Sequence, residues 1–210
     1  MIILLAYAAI SHDVVQASVN AWEMVGDYEV TVLNVTEENA LNVIKKHLAG
    51  VSDELIGISD ASVMPLRKVP MAVYDIPFLY PNQDDRFILP FMAPDDDIKA
   101  LLDDTSIQSV QDLKMAIAKS RGHSLPFDTE WAKDCLLLPV ASKNPNEQLL
   151  KEFMRKKYFI RFKPGCVSEK TIRVMRELFP SHEKVDTEKD APEVPASEEG
   201  EKKEDEEVQG

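Results

Sequence analysis

The chain has 210 residues, a formal charge of −13 and 44% hydrophobic residues. That is enough apolar material for one domain with an extension, and the negative balance argues against wholesale binding to nucleic acid or anionic lipid. Two cysteines, Cys135 and Cys166, do not form a disulfide framework; they fit a cytoplasmic or other reducing intracellular compartment.

The N-terminus reads MIILLAYAAI. A signal peptide carries positive charge before its apolar stretch, and here the first Lys or Arg is Lys45. The run is also far short of the ~20 residues that span a bilayer. Ile2–Ala9 is therefore expected to be a buried strand, and no membrane partner is expected. Ser11 and Asp13 suit a helix start, and Val14, Val15, Ser18, Trp22 and Val25 recur near helical spacing up to Gly26. Tyr28–Val35 is β-rich, with Tyr28, Val30 and Val32 on one face. Thr36 caps a second helix with the stripe Leu41, Ile44 and Leu48, and Leu55–Ile58 makes a third short strand. This β-α-β-α start predicts an α/β fold, a mixed sheet with flanking helices.

Six prolines between Pro65 and Pro94 then disfavour long helices. Met71–Tyr74 and Phe87–Pro90 read as strands, Asp95–Leu102 and Ser109–Ser120 as helices. Further on, Cys135–Val140 reads as a strand and Asn146–Lys157 as a helix with Leu149, Leu150 and Phe153 inward. Tyr158–Phe162 reads as a strand and Ser168–Leu178 as the last helix. The organisation expected is an α/β domain over 1–104, an α+β extension over 105–180 packed on it, and an acidic tail over 181–210. The tail carries twelve acidic and four basic side chains and lacks Leu, Ile, Met and aromatic residues, so its composition predicts disorder.

In this order of elements residues 1–104 resemble the thioredoxin-like fold family. Lys68-Val69-Pro70-Met71-Ala72-Val73-Tyr74 is similar to the family's loop in which a cis-proline opens the third core strand. Ser11 and Val14 stand where that family carries its two cysteines. The resemblance thus implies a redox-inactive domain, because disulfide exchange needs a thiolate.

No motif names a reaction. Ser11-His12-Asp13 contains the residue types of a catalytic triad, but consecutive residues on a helix do not face one another. Cys135, with His123 and Asp128 or Asp134 nearby, sits in an apolar context that fits an inert thiol. The pairs and triplet Asp84-Asp85, Asp95-Asp96-Asp97 and Asp103-Asp104 lack calcium-loop spacing, and no glycine-rich phosphate loop occurs. No catalytic residue, metal ligand or cofactor is assigned. One basic segment, KEFMRKKYFIRFK, offers candidate polyanion-binding residues: Lys151, Arg155, Lys156, Lys157, Tyr158, Arg161 and Lys163. Cations there can meet phosphates while aromatics stack on bases; in the plainer reading, the aromatics alternate into a core and the cations face water. The function expected is a non-enzymatic protein-binding or adaptor protein with a protein partner. The alternatives are a nucleic-acid-associated protein using 151–163, and an enzyme whose site leaves no motif.

Overall fold

Side chains of the first strand point alternately to two apolar layers, and that alternation organises the molecule. The computed structural model describes residues 1–26, 28–68, 87–120, 137–140, 144, 146–163, 165 and 168–178. The expected strand Met71–Tyr74, the Val69–Pro70 bond, Asp84-Asp85, both cysteines, His123, Asp128, Asp134 and the acidic tail lie outside the described residues.

The protein is α/β with mixed sheets. Strand β1 (Ile2–Tyr7) leads into helix α1 (His12–Gly26), β2 (Val30–Val35), α2 (Ala40–Leu48) and β3 (Leu55–Asp60). After β4 (Val63–Pro65) come β5 (Phe91–Pro94), α3 (Asp95–Leu102) and α4 (Val110–Ser120). The rest comprises β6 (Leu137–Val140), α5 (Glu147–Met154), β7 (Phe159–Phe162) and α6 (Glu169–Leu178).

The first sheet has the order β2-β1-β3-β5. Strand β1 is parallel to both β2 and β3, and β5 runs antiparallel to β3. Its third strand in chain order is Leu55–Asp60; residues 69–74, on which the thioredoxin-like resemblance rests, are among those not described. The second sheet, β4-β7-β6, pairs β7 antiparallel with β4 and parallel with β6. The second sheet therefore joins residues 63–65 of the expected first unit to two strands of the expected extension.

Ile3 and Leu5 on one face of β1 enter a core with Ile44 and Leu48 of α2, Ile98 of α3, and Leu113 and Ile117 of α4. Ile2, Leu4 and Ala6 on the other face meet Trp22 of α1. Helix α1 lies between the sheets: Trp22 also reaches Phe159 of β7, while Val14 and Ala21 pack with Met64, Ile160 and Val174. The Ser18 hydroxyl donates to the Val63 carbonyl at 3.4 Å, tying α1 to β4.

The expected strand at Phe87–Pro90 is displaced to Phe91–Pro94. Proline has no amide proton to give a ladder, so the regular ladder begins after Pro90, with one isolated bond before it from the Asp60 amide to the Ile88 carbonyl at 2.9 Å. The register ends with Pro94 opposite Leu55. The short β4 ends in proline, and three residues carry too little periodicity to be read from sequence.

Thr36, expected to cap α2, instead closes the turn before it, and Asn39 is the N-cap; the start of α4 follows its side chains closely. The Thr36 hydroxyl accepts from the Asn39 amide, and Asn39 Oδ1 accepts from the Thr36 amide at 2.7 Å. Ser109 Oγ accepts from the Asp112 amide at 3.1 Å and donates to the Asp112 carboxylate at 2.8 Å. Ser109→Ala should cost about 1 kcal/mol in urea unfolding, the usual loss for an N-cap hydroxyl. Asp112→Asn, which keeps an acceptor, should cost less.

A candidate binding site at the carboxyl ends of the strands

The basic segment folds into the interior more deeply than alternation allows. Strand β7 is the middle strand of its sheet, so both of its edges are paired, and core packs on both of its faces, so that Phe159, Ile160, Arg161 and Phe162 are all buried. Phe159 joins the core around Trp22, and Phe162 the core around Val14. Neither ring can stack on a base. Arg161 is only 6% exposed, with its guanidinium 3.9 Å from the centre of the Phe87 ring. That arrangement is a cation–π contact in the interior, not a cation facing water.

The remaining candidates divide. Tyr158 is half-buried, with the Arg67 guanidinium 5.4 Å from its ring centre; Arg67 also donates to the Arg155 carbonyl. Arg155 and Lys156 are exposed, and Lys156 pairs with Glu152 at 3.2 Å. Lys157 and Lys163 are half-buried, and the Lys163 amide donates to the Val140 carbonyl at 3.1 Å. Lys151 lies on α5, and its side chain is outside the description. Beside Arg155 is an open depression of about 520 Å³ that is also lined by Glu147, Gln148 and Glu152. Its charge is mixed rather than basic. The structure therefore brings Arg155 and Lys156 together on the surface and takes Arg161 and the two phenylalanines away from them.

A different constellation forms where the parallel strands end. From β1 the chain crosses to β2 on one side; after α2 it returns to β3 on the other side of β1. In open α/β sheets this reversal leaves a crevice at the carboxyl ends of the strands, where ligands bind. Tyr7 closes β1 and Asp60 closes β3, while Glu37 follows β2 by two residues. The negative charges of Asp60 and Glu37 both reach the Tyr7 hydroxyl. Burial pushes the Tyr7 hydroxyl up to about 12, and the negative charges of Asp60 and Glu37 push in the same direction. Tyr7 therefore stays a neutral phenol, able to donate and to accept, across the physiological range.

Asp60 is 4% exposed. Its Oδ1 accepts from the Ser62 amide at 2.7 Å and from the Ser62 hydroxyl at 2.6 Å. Burial raises its carboxyl above the usual carboxylate range; the Ser62 bonds and the positive charge of Arg161 oppose that rise. Asp60 is thus held rigidly at the corner between the two sheets. Glu37 is exposed at the rim. An aromatic hydroxyl beside one fixed and one solvent-facing carboxylate can receive an ammonium or guanidinium group.

Ser11, His12 and Asp13 are exposed around the start of α1, and the Ser11 carbonyl accepts from the Val14 and Val15 amides. Asp95 pairs with Lys99 at 2.6 Å within α3, and Asp103 with Lys45 at 2.6 Å. Among the described residues no group of three His, Cys, Asp or Glu side chains is placed to hold a metal ion, and no helix is long and apolar enough to cross a membrane.

The sequence reading did not single out Tyr7, Glu37 or Asp60. Each stands at or just past a strand end that the apolar pattern marks, but the lateral order of the strands, which brings them together, leaves no local trace. No protein-family model matches the chain, and none of the curated proteins matches it.

Proposed function

We propose that this chain is a binding protein rather than an enzyme, and that it receives a positively charged side chain of a protein partner at the carboxyl ends of β1 and β3. The observation that carries this reading is Tyr7, whose hydroxyl lies at the strand reversal under the negative charge of both Asp60 and Glu37. Positive charge placed there meets that negative charge, and a planar guanidinium can bond a carboxylate and a phenol oxygen together. The acidic balance of the whole chain favours encounter with basic surfaces.

The test is an amide NMR titration of the full chain with N-acetyl-arginine amide and with a hexalysine peptide. Residue-by-residue shifts distinguish the body from the acidic residues 181–210, which attract any polycation. Shifts centred on residues 7–13, 34–39 and 59–63 are expected, and Tyr7→Phe with Glu37→Gln should weaken the apparent affinity at least tenfold. Shifts confined to 181–210 would reject the site and leave the segment as the contact. The same titration with a single-stranded oligonucleotide tests Arg155 and Lys156; no shift is expected at 151–163.

A further inference from the structure

Helix α4 presents Val110, Leu113, Ile117 and Ala118 to the core shared by β1, β3, α2 and α3. Lys114 is on the same side and is 2% exposed. A lysine ammonium in such surroundings needs a carboxylate or several carbonyls to replace its water. None is supplied: no described residue makes a hydrogen bond or ion pair with Lys114.

None of the described charged groups around it is bonded to Lys114. The helix packed on α4 is α3, whose Asp95 gives Oδ2 to Lys99 at 2.6 Å and keeps Oδ1 buried without a partner, while Asp96 and Asp97 are exposed. Helix α2, in the same core, carries exposed Lys45 and Lys46 and half-buried His47. On α4 itself Asp112 is taken up by Ser109 and the Gln108 amide, and Lys119 is exposed. Tyr7, at the end of β1, responds to Asp60 and Glu37, and Asp60, at the end of β3, responds to Ser62 and Arg161; Lys114 acts on neither.

We propose that docking of α4 is coupled to a proton: the helix seats against the core with Lys114 as a neutral amine, and its release takes a proton up. The loop before α4 is exposed at Asp103, Asp104, Thr105 and Ser106 and is closed by its own turn bonds, the Ser106 and Ile107 amides donating to Asp104. Release would bare the apolar stripe of α4 and the core surface beneath it. The proton acts as a ligand of the released state, and alkaline conditions favour the seated one.

Burial alone lowers the Lys114 amine to about 7 in the folded protein, against 10.5 when solvated. The sign follows. Between these values the released state binds more protons than the seated one, so release becomes rarer as pH rises; below the lower value both states are protonated and the dependence vanishes. Two measurements on the full chain test this. The side-chain NMR resonance of Lys114 should titrate with a midpoint near 7. Hydrogen exchange, corrected for the intrinsic rate, should show protection over 110–120 rising about tenfold per pH unit above 7. Peptides from β1 should exchange more slowly throughout, and Lys114→Met should remove the slope over 110–120. A Lys114 midpoint near 10 would overturn the proposal, whatever the variant does. So would a slope that survives Lys114→Met, or one shared equally by β1 and α4, which would assign the proton to global unfolding.

Discussion

Trp22→Ala should cost about 3–5 kcal/mol in urea unfolding, the range for removing a large aromatic from a sealed core. Trp22 is 0% exposed. Its ring meets Tyr28 edge-on, with centroids 5.8 Å apart and planes at 72°, and it lies 6.4 Å from Phe159. One side chain thus links α1 to the segment before β2 and to the central strand of the second sheet. The site cannot collapse to refill the space, because its walls belong to two sheets held by their own ladders. Trp22→Phe keeps an aromatic against Phe159 and should lose clearly less. A cost for Trp22→Ala below 1 kcal/mol would mean that the two sheets do not share this core.

Asp60→Ala should cost about 2–4 kcal/mol, because two donors of Ser62 are left without their buried acceptor and Arg161 loses its nearby negative charge. Asp60→Asn keeps a carbonyl for Ser62 and should cost less. The pH dependence separates charge from hydrogen bonding. Since burial raises the Asp60 carboxyl, the folded protein holds its proton to higher pH than the unfolded chain does. Stability contributed by this group is present below the ordinary carboxylate value and is lost as pH rises through the raised one. Asp60→Asn should flatten the wild-type curve in that window. Parallel curves for the two proteins would mean that the carboxyl is not shifted. Asp60→Asn should also weaken binding of the arginine probe at the strand ends without displacing the fold.

The periodic elements were legible because burial on one side writes itself into a short window. Ile44 and Leu48 mark α2, and Val14, Ser18 and Trp22 mark α1. Thr36 was legible too, though as the residue that closes the turn before α2, whose N-cap is Asn39. What long-range packing decides was not. Arg161 looks like one of several surface cations until Phe87 is known to cover its face of β7. Lys114 looks like a polar break in an apolar stripe, and only the placement of α4 against α3 shows that it is covered. The strand-end site has the same character. Tyr7, Glu37 and Asp60 lie far apart in sequence, and only the order β2-β1-β3 assembles them.

The second sheet also bears on how the protein is made. All three parallel strands of the first sheet have been synthesised by residue 60, whereas β4 must wait for β7, about a hundred residues later. At roughly 5–20 residues per second that interval lasts on the order of ten seconds. During it Val14 and Ala21 of α1 have no second sheet to cover them, and Trp22 lacks Phe159. Closing so long a loop adds little to the final entropy cost, since each doubling of length costs only ~0.6 kcal/mol, but it delays the step that hides this surface. The nascent chain is therefore a half-built sandwich with one greasy helix face, and overexpression at high temperature should drive it toward aggregation before β7 is synthesised.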